Sequence, residues 1–235
     1  MQQHNKINTE EFEELVQEIL EDSDYLNNPY FTSLNKGTFD KNDFIETQKQ
    51  FYFAVTFFSR PMAVLSAKIP TPQLRLEIVR NLWEEHGEGD FNKIHQTTFA
   101  ELLTRLGNVN LLEIENAQLS PAVRVFNTTL IGACTLDDYK VGVAMMGMIE
   151  RMFTVISSFI GKSIVKNKWL TQEELIHYDL HEVLDVKHSQ DFFDILENTW
   201  SEDNHKYLIK QGLQMGAYIF NGLYRDLYEN RHKRY

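Results

Sequence analysis

The sequence predicts an all-α protein. Three observations carry that reading. Apolar residues recur at helical spacing in nearly every segment, no alternating apolar–polar run is long enough for a strand, and helix starts are written into the chain as caps. The 235 residues, 43% of them hydrophobic, suit one domain over 1–235 whose core needs no covalent staple. The polar start lacks the basic-then-apolar order of a signal peptide, and residues 1–8 are expected to form a flexible tail. A single cysteine, Cys134, leaves no internal disulfide and fits a reducing compartment, the cytoplasm. The formal charge of −11 argues against nucleic acid or an anionic membrane surface as partner. The apolar run 141–160 is broken by Glu150 and Arg151, which a bilayer would penalise.

Each element has a local reason. Asn8 with Glu11 reads as a capping box for a helix to about 26, followed by turns at Asn28-Pro29 and Lys36-Gly37. A long helix over about 40–68 contains Pro61, which removes a backbone donor and should kink it. Thr71-Pro72 opens a helix expected to reach the glycines Gly87 and Gly89, and another runs from about 92 to Gly107. Ser120-Pro121 repeats the cap-and-proline start. Thr135 or Asp137 opens an apolar helix ending near Gly161. Thr171 with Glu174 starts a short helix, Asp179 with Glu182 a helix to about 198, and Ser201 a last one towards Tyr228.

The chemistry begins with His181, Asp185 and His188. On an α-helix these positions fall within an arc of roughly 60°, so two imidazoles and a carboxylate share one stripe. That oxygen and nitrogen donor set suits iron or manganese, although a histidine-rich solvated face would read the same way. Glu150 sits in Met145-Met146-Gly147-Met148-Ile149-Glu150, apolar almost all round. An ionised carboxylate facing inward there needs compensation, from an ion pair or from a metal. In Trp83-Glu84-Glu85-His86-Gly87-Glu88-Gly89, Leu74, Ile78 and Leu82 mark an apolar stripe that Glu85 continues. Glu84 and Glu88 step off it and look solvated. His95 follows in the next helix's first turn, and Gly87 and Gly89 permit a reversal that returns it towards Glu85.

Glu85, His95, Glu150, His181, Asp185 and His188 together offer three carboxylates and three imidazoles. Three negative charges nearly balance two divalent ions, and ferritin-like bundles use a comparable mixture on facing helices. Tyr52, Trp83 and Tyr178 are candidate pocket walls or electron relays, with aromatic core residues as the plainer reading. The methionines Met145, Met146, Met148 and Met152 read as core at helical spacing, with an exposed interaction groove as the alternative.

On Glu85-His86-Gly87-Glu88-Gly89 with His95, the isolated Glu150, and His181, Asp185 and His188, the chain resembles the heme-oxygenase-like diiron oxidases and oxygenases. That resemblance covers most of the chain. It implies a heme-oxygenase-like bundle of about seven to eight helices, often a homodimer, related to the thiaminase and pyrroloquinoline-quinone synthase groups. It implies two iron ions (manganese or a mixed pair being the variants) held by those six residues, with O2 and a small organic substrate such as a fatty acid, amino acid or amine. In length and pattern the chain is similar to the chlamydial protein associating with death domains, which makes p-aminobenzoate from its own tyrosine. It departs where that reaction would need it: Phe31 stands at the sacrificed tyrosine's place beside Tyr30, Ile149 replaces a tyrosine, and Ile160 replaces a lysine. Rival readings are a cofactor-poor thiaminase-type enzyme with Cys134 as nucleophile and a non-catalytic interaction module of the same fold. Heme oxygenase itself would need a proximal histidine in the first helix, where only the preceding His4 is available.

Overall fold

The structure is a computed structural model describing residues 2–197, 199–200 and 202–235, with side chains described outside 2–9 and 176–186. Among the described residues the regular elements are ten α-helices and a few single 3₁₀ turns, with no strand. The helices are α1 (Gln2–Ser23), α2 (Pro29–Lys36), α3 (Lys41–Lys68), α4 (Pro72–Glu85) and α5 (His95–Gly107). There follow α6 (Leu111–Glu115), α7 (Pro121–Leu136), α8 (Tyr139–Lys166), α9 (Ile176–Glu197) and α10 (Asp203–Glu229).

Two α-helix starts are made by predicted caps, Thr71 and Ser120, and Asp40 supplies an unexpected third. Asp40 accepts from the amides of Asn42 and Asp43, Thr71 from Leu74 and Ser120 from Val123, each relieving a helix donor that has no partner within the helix. The differences concern short elements and ends. Asn28-Pro29 is a helix start rather than a turn, because Asn28 caps Tyr30 and proline fits the first position. Asn110 caps the unexpected α6 through Glu113. The first helix opens at Gln2 instead of the Asn8 cap. Helix α7 runs through Thr135 to Leu136, and Asp138 caps α8, which continues past the buried Gly161 to Lys166. Thr171 and Glu174 cap only a 3₁₀ turn, and α9 is already helical at Ile176, ahead of Asp179. Glu202 holds the N-cap position of α10, while Ser201 lies outside the described residues. Pro61 is buried inside α3, which is one helix from Lys41 to Lys68.

The middle of the bundle is α8, packed chiefly between α9 and α10. By length and composition α8 could cross a membrane, yet 72% of its most apolar window is buried inside the fold. Its methionines Met145, Met146, Met148 and Met152 are fully buried, which makes them core and removes the exposed-groove alternative. Close approach is allowed by glycine. A Cβ on Gly212 would collide with the Val141 carbonyl oxygen, and one on Gly216 would come within 2.6 Å of the Met145 oxygen. Gly147, on another side of α8, faces the ring of Phe193 and the Cβ of Phe192 on α9. Helices α3, α5 and α7 close the other side, and Phe51, Phe153, Phe220 and Tyr224 pack as one aromatic cluster between them.

Backbone cannot yield as a flexible side chain can, so Gly212→Ala should destabilise the protein by about 1–3 kcal/mol. Gly222 on the same helix has open space around it, and Gly222→Ala should be neutral or add up to about 1 kcal/mol of stability. Chemical denaturation midpoints of the two variants check this pair.

Candidate metal centre

Glu150 lies mid-way along α8, 4% exposed, in a strongly apolar helix. Glu85 is the last residue of α4 and His95 the first of α5, both buried. His188, on α9, is fully buried. Donor atoms of Glu85, Glu150 and His188 all lie within 4.8 Å of one another. His95 Nδ1 stands 2.9 Å from Glu85 Oε2. Four of the six residues singled out in the sequence therefore meet. The side chains of the other two, His181 and Asp185, lie outside the described residues, at positions seven and three before His188 on the same helix.

The turn between α4 and α5 explains how Glu85 and His95 meet. Gly87, Glu88 and Gly89 all have positive φ, at 65°, 54° and 89°. Two of these three are glycine, which takes that conformation without steric cost. A Cβ on Gly87 would come within 2.8 Å of the Ile94 nitrogen, so this buried residue also admits the returning chain. Asp90 then caps the 3₁₀ turn Phe91–Lys93 through the Asn92 amide, and α5 begins at His95. The reversal occupies the stretch where helix had been expected up to Gly87 and again from 92.

A cavity of about 50 Å³ adjoins the cluster and is bordered by Glu85, His95 and Glu150. Its remaining wall is apolar, including Phe51, Val55 and Phe58 of α3, Phe126 of α7, Phe153 of α8 and Phe220 of α10. Of the expected pocket residues, Trp83 is a correction. Its side chain is about half exposed and covers Gly89 instead of lining the cavity, since it lies off the buried face of α4. Tyr52 is buried one step round α3 from Phe51, and its hydroxyl accepts from Gln96 Nε2 at 2.7 Å. Tyr178 lies outside the described residues.

Two further residues were not foreseen. Glu84 is not fully solvated: its Oε2 lies 2.6 Å from His188 Nε2, and Lys187 Nζ is 3.7 Å from Oε1. Nothing local marks it, because His188 is 104 positions away and only the packing of α4 on α9 brings it near. Asn81, one turn before Glu85, is fully buried, and neither amide atom finds a partner among the described residues. Such burial costs about 1–3 kcal/mol and is concentrated where function needs it.

Oxygen donors from two carboxylates and nitrogen from imidazole, gathered in an apolar interior, form a set into which iron fits. Without a cation, like carboxylates this close would repel. The helical bundle and this cluster define the heme-oxygenase-like class. A family model described as iron-containing redox enzyme matches residues 46–218, well over half of the chain and all four assembled residues, and the chain belongs to that family. It is thus an oxidoreductase-type enzyme. The 4-aminobenzoate synthase of Chlamydia pneumoniae is 20% identical over 210 residues, covering 89% of this chain and 92% of that protein. Among solved structures, a domain of unknown function with a heme oxygenase-like fold from Shewanella denitrificans superposes with a TM-score of 0.79. It is 13% identical and covers 94% of this chain and 92% of its own. A TenA homologue from P. horikoshii has a TM-score of 0.72 at 12% identity, over 94% and 98% of the two chains.

The same fold hosts the thiaminase-type alternative, which would rest on Cys134. That thiol is buried in α7, and burial pushes it up to about 12. At pH 8 its thiolate fraction is then on the order of one part in ten thousand, too little for a nucleophile. Iodoacetamide at pH 8 should leave the native protein's thiol nearly untouched and label it fully in guanidinium. Rapid labelling of the native protein would revive the nucleophile.

Proposed function

We propose that this chain is a non-heme diiron oxidase or oxygenase that binds two iron ions and uses O2 on a small organic substrate. The observation that carries this is the convergence of Glu85, Glu150 and His188 in the core. His95, in contact with Glu85, and His181 and Asp185 on the helix of His188 complete the proposed ligand set of three carboxylates and three imidazoles. Two ferrous ions bound there would supply electrons for reducing dioxygen.

The protein's own contribution is charge, shape and dryness. The carboxylates of Glu85, Glu150 and Asp185 offset most of the ions' charge, and neutral imidazoles leave the balance near zero. The phenylalanines around the cavity exclude water from the reacting centre. Among the described cavity residues none is lysine or arginine, which supports an apolar chain or ring as the part of the substrate that enters. The chlamydial relatives named 4-aminobenzoate synthase support oxidase chemistry at this site. Their product is not carried over, since Phe31 stands in place of the consumed tyrosine and the adjacent Tyr30 is fully buried, bonded to Thr47 and Gln48.

Anaerobic loading with ferrous salt should leave about two irons per chain after desalting. Glu150→Ala should retain less than half of that. Occupancy should fall as pH drops, because carboxylates and imidazoles bind metal only when deprotonated. Stopped-flow mixing of the loaded protein with O2 and a panel of fatty acids, aromatic amines and amino acids should give a transient visible band with the apolar members. A wild-type chain retaining no iron would favour the interaction module of the same fold.

A further inference from the structure

Glu84 has no place in the ligand set, yet its carboxylate lies 2.6 Å from one of the assembled residues, His188. It stands on the last turn of α4 beside Glu85, with its side chain 20% exposed, and reaches α9 at two consecutive positions. Its Oε2 lies 2.6 Å from His188 Nε2, and its Oε1 forms an ion pair with Lys187 Nζ at 3.7 Å. Lys187 in turn bonds Asp191 Oδ2 at 3.0 Å, one turn along α9. The carboxyl of Asp191 is raised by burial and lowered in part by that ammonium. An ionised carboxylate can only accept, so the hydrogen shared with His188 belongs to Nε2. In a neutral imidazole the lone pair then sits on Nδ1.

We propose that Glu84 is a positioning residue: it fixes His188 in the Nε2–H tautomer and holds the ring so that Nδ1 is the atom offered to a metal at Glu85 and Glu150. The inference rests on the metal-centre reading and extends it to a residue that touches no metal. Metal-ligating histidines are oriented in this way by a carboxylate on the second nitrogen, and losing that partner costs roughly 10–100-fold in metal affinity. Lys187 contributes by drawing the Glu84 carboxylate to the α9 side of its helix. The backbone reason is simple. Adjacent residues on α4 point about 100° apart, so Glu85 can face α8 while Glu84 faces α9.

The test begins with the metal-free wild-type protein labelled with ¹⁵N-histidine, the His188 signals being identified by their loss in His188→Gln. Two-bond ¹⁵N–¹H correlations should show the Nε2–H tautomer at His188, and the Nδ1–H tautomer there overturns the proposal. Glu84→Leu and Glu84→Gln are then titrated with Fe(II) anaerobically against a competing chelator. Glu84→Leu should weaken binding by roughly 10–100-fold, and Glu84→Gln, which keeps an accepting oxygen, should retain most of the affinity. Equal collapse of both variants would make Glu84 a ligand, and wild-type affinity in Glu84→Leu would make the contact incidental. Either result overturns the positioning role. Failure of the wild-type chain to bind iron would instead defeat the metal reading, and the tautomer measurement keeps the two failures apart.

Discussion

A carboxylate inside an apolar helix is the constraint from which this architecture follows. Glu150 sits in the middle of α8, a helix largely enclosed by its neighbours, and is only 4% exposed. Transferring an ionised carboxylate to such surroundings costs several kcal/mol even after relaxation. The structure adds to that demand by convergence: α4 delivers Glu85 and α9 delivers His188 to the same few ångströms. Further acidic charge at this point makes sense only beside a cation, which is why the donor set and the family's iron agree.

The rest of the fold serves this meeting. Gly212 and Gly216 let α10 lie directly on α8, while Gly147 admits the phenylalanines of α9 on another side. The aromatic cluster around Phe51, Phe153 and Phe220 walls the cavity beside Glu150 and keeps it apolar. Between α4 and α5 the chain accepts three successive residues at positive φ so that His95 can return to Glu85. The glutamate among them, Glu88, tolerates this less readily than its glycine neighbours, and the turn holds because Asp90 and the next helix lock its far end.

Much of this was legible before any coordinates. Caps at Thr71 and Ser120 announce themselves because a short polar side chain before a helical run has a local job. Glu85 and Glu150 stood out because an ionisable residue on an apolar stripe demands a partner, and His188 because it shares a helix stripe with His181 and Asp185. Less legible were features without a local signature. Trp83 looked like a wall and lies half exposed, and Glu84 looked solvated and bonds His188. Both errors concern the edges of one helix face, where a rotation of a single residue separates solvent from contact. Short α2 and α6 were missed because a turn of helix and a reverse turn use the same residues.

The amino-acid order alone determined the helical class, the caps, the broken turn at Gly87 and which acids and imidazoles were out of place on their faces. These are consequences of spacing and side-chain chemistry within a few residues, and they need no knowledge of what lies opposite. Only the tertiary structure decided that α4, α8 and α9 bring their polar residues to one point, and that Glu84 faces α9. Those contacts join positions 38 to 104 residues apart, and their geometry depends on how closely three helices approach, which no local pattern specifies.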